Sequence, residues 1–269
     1  MLRGDVRAMF RSAARPHDAR SIVTAGRRGT ALVVNGRRHG PVTRLITPWD
    51  TGQLASPFVL INYAEVERRS RLFVSYPPSG ITTLTVVLTG ELSFEDTTGK
   101  RGEVPAAGFA WMKAGSTVWH EGRHSVPEPL RVFHLWISQR GARTAGAAAS
   151  ECIAPNEVEQ EGPVRVLLGE FGRARSRLRE APADLNLLHV LLKDRQHFRY
   201  TVPPGHDITW LAVDRGSLQL HAGERVLWEQ VVLFGDSAGT VQVQAEGETS
   251  FVLGSARRRT QHGTEGDSP

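Results

Sequence analysis

Short runs of alternating apolar and polar residues recur along the chain, and Gly and Pro interrupt them. Leu84, Val86 and Leu88 fall on one side of such a run, because successive side chains of a strand point to opposite faces. Runs of the same kind lie at 131–137, 241–244 and 251–253. No convincing helical period of apolar residues accompanies them. The pattern predicts an all-β protein.

The strand pattern occurs twice with the same spacing. Pro78 precedes Gly90 by the same distance as Pro204 precedes Gly216, and a strand pattern lies between them in both copies. Each copy continues through a turn to a further strand. A β module of about a hundred residues suits a small barrel or jelly roll, which closes its own edges. The repeat therefore predicts two barrels in tandem.

Composition suggests where the two predicted barrels begin and end. Small and polar residues at 141–150 are typical of a linker. We expect a disordered tail at 1–20, a first barrel at 21–140, a linker at 141–160, a second barrel at 161–256 and a disordered tail at 257–269.

The formal net charge is +5, and most of the basic residues are arginines, many of them near the two ends. These arginines do not alternate with a series of aromatic residues, as a stacking platform for single strands would require. We interpret them as solvated tails and do not expect nucleic acid as a partner; DNA binding through the tails is the alternative.

Two features of the sequence predict where in the cell the protein is found. The chain contains a single cysteine, Cys152, which excludes an internal disulfide and fits a reducing compartment. No apolar run approaches the roughly 20 residues that a membrane span needs. We expect a cytoplasmic protein without a membrane segment.

Five segments of the first half resemble the pirin family, a branch of the two-barrel cupins. The segments are HGPVTRL at 39–45, SPFVL at 56–60, SGITTLT at 79–85, EDTTGK at 95–100 and WMKAG at 111–115. The resemblance implies two tandem cupin barrels of jelly-roll type, with an iron-type metal in the first barrel only. Family members include flavonol (quercetin) 2,3-dioxygenases and proteins that regulate transcription or metabolic enzymes by contact.

The metal site that the resemblance implies is largely missing from this sequence. The family's His-x-His pair is replaced by Tyr76 and Pro78, the later histidine is His120, and Gly122 stands where a carboxylate often follows. Disturbing only an outer hydrogen-bond partner costs about 10–100-fold in metal affinity, and the loss of first ligands costs more. We expect His120 to be a remnant that is insufficient alone, and no cofactor to be bound.

A rearranged site is the alternative. His120 and Tyr76 would then converge with His134 or His124 and hold Fe or another divalent metal. His134 alternates with Trp136 on a predicted strand and so could face inward. The interpretation that we favour for His134 is a core or rim histidine.

Residues 120–124 spell His-Glu-x-x-His, the sequence of a zinc protease motif. That motif needs a helix, whereas the flanking residues are typical of a strand and Gly122 interrupts them. We therefore reject a metalloprotease.

Three tryptophans and one histidine remain as candidates. We expect Trp111, Trp119 and Trp136 to pack within a barrel, and together with His134 they form the lining of a pocket if a ligand binds. His189 alternates with leucines, which favours a hydrogen-bonded core or strand-edge histidine.

The function that follows is a metal-depleted pirin-like protein, which binds a small apolar ligand or a protein partner without redox chemistry. The alternative is a metal-dependent oxygenase of the quercetin 2,3-dioxygenase type. The sequence leaves open the ligand, enzymatic activity and oligomeric state.

Overall fold

A computed structural model describes residues 22–23, 31–49, 51–66, 71–75, 80–96, 99–113, 118–121, 129–139, 150–179, 181–221, 223–235 and 239–258. Within these ranges the regular structure is β-strand, apart from one 3₁₀ turn at Thr51–Gln53. The prediction of an all-β protein is confirmed.

In the described ranges, twelve strands precede residue 140. They are β1 Ile22–Val23, β2 Ala31–Asn35, β3 Arg37–His39, β4 Val42–Ile46, β5 Phe58–Val66, β6 Arg71–Ser75, β7 Ile81–Thr89, β8 Glu91–Asp96, β9 Arg101–Pro105, β10 Phe109–Met112, β11 Val118–Glu121 and β12 Leu130–Ser138.

Eleven strands follow. They are β13 Ser150–Ile153, β14 Gln160–Glu161, β15 Val164–Leu168, β16 Glu170–Phe171, β17 Ala174–Arg175, β18 Leu185–Leu192, β19 His197–Thr201, β20 Ile208–Leu220, β21 Arg225–Leu227, β22 Gln230–Phe234 and β23 Thr240–Ala256.

The first barrel consists of two sheets. A seven-stranded sheet has the order β13-β10-β7-β12-β5-β4-β3, and a four-stranded sheet has the order β6-β11-β8-β9. Side chains from both sheets form one apolar cluster, in which Phe94 and Val104 of the small sheet join Val87, Ala110 and Val132 of the large sheet. This cluster lies in the interior because the strands alternate apolar positions toward it.

The second barrel is built from one ten-stranded sheet with the order β1-β2-β22-β20-β23-β18-β15-β14, and β19 and β21 pair with β23 and β20. Register shifts flank Arg215 in the pairing of β20 with β23. The early part of β20 therefore pairs with β22 and its later part with β21. The two long strands β20 and β23 therefore take part in both sides of this barrel.

The two barrels repeat one module, as the sequence spacing predicts. Gly90 separates β7 from β8, and Gly216 lies at the corresponding bend of β20; both have φ of 77°. A Cβ at Gly216 would come within 2.6 Å of the carbonyl oxygen of Glu248, and this φ is rarely adopted by residues with a side chain. Glycine at both bends follows from this geometry.

Each barrel also pairs with a strand from outside its own run of strands. β2 pairs with β22 of the second barrel, and β13 pairs with β10 of the first barrel. These strands fall in the ranges 21–140 and 141–160, which the sequence assigns to the first barrel and the linker. Those boundaries stay a prediction.

A large apolar cluster contains side chains of both barrels and forms their interface. Phe58 of the first barrel and Trp210 of the second meet edge to face, with ring centroids 5.2 Å apart, and both are fully buried. The two large sheets therefore pack face to face, which leaves each barrel interior on the other side of its sheet.

Candidate functional site

A row of polar side chains crosses the large sheet of the first barrel. Asn62 on β5 pairs with His134 on β12, which pairs in turn with Thr85 on β7. Ala64 and Val132 lie two residues away from Asn62 and His134 on the same strands, and both belong to the interior cluster. Because side chains two residues apart share a face, the polar row lies on the interior face.

The imidazole of His134 is bonded at both nitrogens. Its Nδ1 lies 2.9 Å from the Thr85 hydroxyl, and its Nε2 accepts a hydrogen bond from the Trp136 indole N–H at 3.2 Å. Burial lowers the pKa of His134 to about 4, since only 3% of the residue is exposed. The neutral ring that accepts at Nε2 carries its proton on Nδ1, which donates to Thr85.

Asn62 supplies an unused acceptor beside this histidine. Its Oδ1 atom is buried and has no hydrogen-bond partner in the described part of the chain. An unsatisfied buried amide oxygen costs about 1–3 kcal/mol. The row therefore offers a place for a hydrogen-bond donor on the strand next to His134.

The second barrel has leucines at the same three positions. In the matching sheet, Leu188 pairs with Leu253, and Leu253 pairs with Leu211. All three leucines are fully buried in its interior cluster. Since the fold can be built with leucines here, the polar row of the first barrel is not required by the architecture.

Two of the tryptophans predicted as pocket lining, Trp111 and Trp136, lie in different surroundings. Trp136 lies next to His134, whereas Trp111 belongs to the cluster between the barrels. Trp119 and His120 lie on β11, where the backbone of His120 pairs with Phe94 and Phe73, but their side chains lie outside what the structure describes. Tyr76, Pro78, Gly122 and His124 lie outside the described residues.

The described residues of the first barrel do not fit the metal that the family implies. Among them, no three His, Cys, Asp or Glu side chains gather as a possible metal site. The interior face described above contributes one imidazole, whose Nε2 lone pair accepts from Trp136, together with an amide and a hydroxyl. A divalent transition metal is held by several imidazoles, thiolates or carboxylates.

His189 is a hydrogen-bonded core histidine, which confirms that prediction. Its Nε2 lies 2.9 Å from the Ser250 hydroxyl, and 3% of the residue is exposed. Burial, with the positive charges of Arg165 and Arg131, lowers its pKa to about 3.

Asn62 and Thr85 were missed by the sequence analysis. Each interrupts an otherwise apolar alternation, since Asn62 precedes Ala64 and Thr85 precedes Val87 by two residues. Aligning the sequences of the two copies would have found them. The offset that relates Gly90 to Gly216 aligns Thr85 with Leu211 and Asn62 with Leu188. Polar residues in one copy against leucines in the other were the available signal.

Fold and repeat together define a two-barrel protein of the cupin type. The family model for pirin matches residues 41–137. Over these residues the resemblance to the pirin family that the sequence indicated is confirmed.

Known relatives agree with this assignment. A Pseudomonas aeruginosa protein with a provisional quercetin 2,3-dioxygenase name is 26% identical over 81% of this chain and 83% of its own length. The solved structure of a quercetin 2,3-dioxygenase from Acinetobacter baumannii superposes with a TM-score of 0.73 at 22% identity, covering 84% of this chain and 85% of that one. A bacterial pirin from Escherichia coli in complex with nickel(II) gives a TM-score of 0.67 at 18% identity, covering 85% and 100%.

Within the described part of the chain, no helix has the length and apolar character needed to cross a membrane.

Proposed function

We propose that this pirin-like chain is a cytoplasmic binding or regulatory protein whose first barrel takes up a small, mostly apolar ligand without a metal. The observation that carries the proposal is the row of Asn62, His134 and Thr85 in the first barrel, which the second barrel replaces with leucines. A polar row in an apolar barrel has a stability cost, so its presence in one copy only favours a role in recognition.

The chemistry of the row supports an uncharged ligand. His134 is neutral because of burial, and the row contains no charged side chain to pair with an ionised group. The apolar cluster of the same interior supplies the remaining contact surface. A mostly apolar interior with a few placed polar groups is the composition typical of small-molecule sites.

A metal-dependent oxygenase is the second candidate, and the names of relatives favour it. Proteins named quercetin 2,3-dioxygenase are among both the sequence relatives and the structural neighbours. In this chain such an activity would depend on a rearranged site around His120, with Fe or another divalent metal. A third candidate is that the chain binds a protein partner instead of a small ligand.

Metal analysis of the purified protein, combined with a flavonol turnover assay, separates the first two candidates. We expect metal far below one atom per chain, no turnover, and no change in either on His120→Ala. Stoichiometric Fe, Cu, Mn or Ni that disappears in His120→Ala, together with turnover, would replace our proposal with the oxygenase.

Ligand uptake can be followed by the tryptophan fluorescence of the protein, to which Trp136 contributes, with quercetin as the probe. We expect Asn62→Leu and His134→Leu, which introduce the residues of the second barrel, to weaken binding by about tenfold or more. The control is Leu188→Asn, which puts a polar residue at the matching position of the second barrel and leaves the first barrel unchanged. Equal binding by all variants would contradict a site at this row.

A further inference from the structure

A second group of buried polar side chains lies between the barrels, away from the row described above. The guanidinium of Arg131 on β12 reaches across the interface, and its Nη1 lies 3.4 Å from Oδ2 of Asp214 on β20. The two side chains are 17% and 1% exposed. This ion pair therefore joins the first barrel to the second in a site with little water.

Asp214 is poorly satisfied as a buried carboxylate. Its Oδ1 atom has no hydrogen-bond partner in the described part of the chain, and Oδ2 lies 3.4 Å from Nη1 of Arg131. Ser250 on β23 lies nearby, but its hydroxyl is also bonded to His189 of β18. Arg215 directly follows Asp214 on β20. Burial raises the pKa of Asp214 to about 6, although Ser250, Arg131 and Arg215 oppose the shift.

Arg131 has a second set of partners on its own sheet. Glu65 lies directly opposite it on β5, and the Glu65 carboxylate lies 3.4 Å from the hydroxyl of Tyr63. Burial and Glu65 raise the pKa of Tyr63, whereas Arg131 opposes that rise, which places the guanidinium close to the phenol. Arg131 also donates to the Thr89 hydroxyl at 3.1 Å. The guanidinium thus pairs with a carboxylate of the second barrel, while Tyr63 and Glu65 lie on the neighbouring strand of its own sheet.

We propose that Asp214 is a proton-operated switch that decides whether Arg131 binds across the barrel interface or stays with Tyr63 and Glu65. Ionised Asp214 attracts the guanidinium across the interface. Protonated Asp214 has no charge to offer, so Arg131 returns to the carboxylate on its own sheet. The strength of the contact between the barrels then depends on pH.

The sign of the pH dependence follows from the carboxyl group. A folded-state pKa of about 6, above the ordinary 3.8, means that the folded protein prefers the neutral acid. The contribution of Asp214 to stability is present below about pH 3.8 and is lost as the pH rises through about 6. Asp214→Asn should therefore raise the thermal midpoint at about pH 7.5, and the gain should shrink toward about pH 5.

The switch is tested by a double-mutant comparison of thermal midpoints at these two pH values. We expect Arg131→Met to lower the midpoint at least about twofold more at about pH 7.5 than at about pH 5. In the Asp214→Asn background this difference should vanish, because asparagine is neutral at both. Arg131→Gln, which also removes the charge but keeps a polar side chain, replaces Arg131→Met if the latter does not fold.

The exchange of partners has its own test. At about pH 7.5, Glu65→Gln should lower the midpoint more in the Asp214→Asn background than in the wild type, because Arg131 then depends on Glu65. The control is Arg101→Met, which removes an exposed pair with Glu95 and should act equally at both pH values. An effect of Arg131→Met that is independent of pH, or an effect of Glu65→Gln that is the same in both backgrounds, would overturn the switch.

Discussion

His134 occupies an interior position where packing alone would favour an aliphatic side chain. Leu253 fills the matching position in the second barrel, in the same register between two neighbouring strands. The imidazole is accommodated because the Thr85 hydroxyl and the Trp136 indole satisfy both ring nitrogens. Keeping the ring neutral is a condition of this arrangement, since a buried imidazolium without a carboxylate partner is unfavourable.

The buried histidine predicts a loss of stability in acid. Because burial lowers the pKa of His134 to about 4, the unfolded chain binds a proton below about pH 6.5 that the folded chain does not. Its contribution is full above about pH 6.5 and is lost as the pH falls through about 4, with a ceiling of about 3 kcal/mol. His134→Leu should reduce the decline in unfolding free energy over this window, as measured by urea denaturation.

Exposed His197 provides the matched control for this titration. His197→Leu replaces an exposed imidazole with the same leucine side chain and so serves as the reference for losing a histidine at the surface. An unaltered pH profile in His134→Leu would show that this ring is not held neutral in the fold.

At the scale of elements, alternation predicted individual strands better than their connections. The runs at 83–89 and 131–137 correspond to β7 and β12. Those at 241–244 and 251–253 are both parts of β23, whose continuity depends on pairing with β20 and β18 rather than on a local signal. The pairing of β2 with β22 was also beyond the sequence, because alternation specifies a face and not a distant partner. The same limit applies to the row at His134: alternation indicated the inward direction, whereas the bond to Thr85 depends on register.

One cross-strand pair in the second barrel predicts a steric requirement. Gly254 on β23 lies opposite Trp210 on β20, and a Cβ at residue 254 would come within 2.5 Å of the indole ring. Trp210 is fully buried and cannot move aside freely. Gly254→Ala should therefore lower the unfolding free energy by about 1–3 kcal/mol in chemical denaturation. Gly239→Ala is the control, because a Cβ there meets no atom within 4 Å. Equal stability of the two variants would mean that the indole of Trp210 can shift to make room for the added methyl group.

For the whole molecule, the barrels are joined by three kinds of contact. They share an apolar cluster, each pairs with a strand from outside its own run, and the Arg131–Asp214 pair crosses between them. Unfolding one barrel would expose the apolar face of the other and leave a sheet edge unpaired. We therefore expect a single cooperative transition, although the repeat alone would suggest two independent domains.

Phe58 tests this coupling because it belongs to the first barrel and packs on Trp210 of the second. Phe58→Ala should lower the unfolding free energy by about 3–5 kcal/mol, since both rings are fully buried. Hydrogen exchange should show lost protection in β20 of the second barrel as well as in β5, because the two barrels open together. Trp49→Ala, at a side chain that is 73% exposed, is the control and should change neither. Two separate transitions, of which only that of the first barrel moves, would show instead that the interface holds two independently stable units.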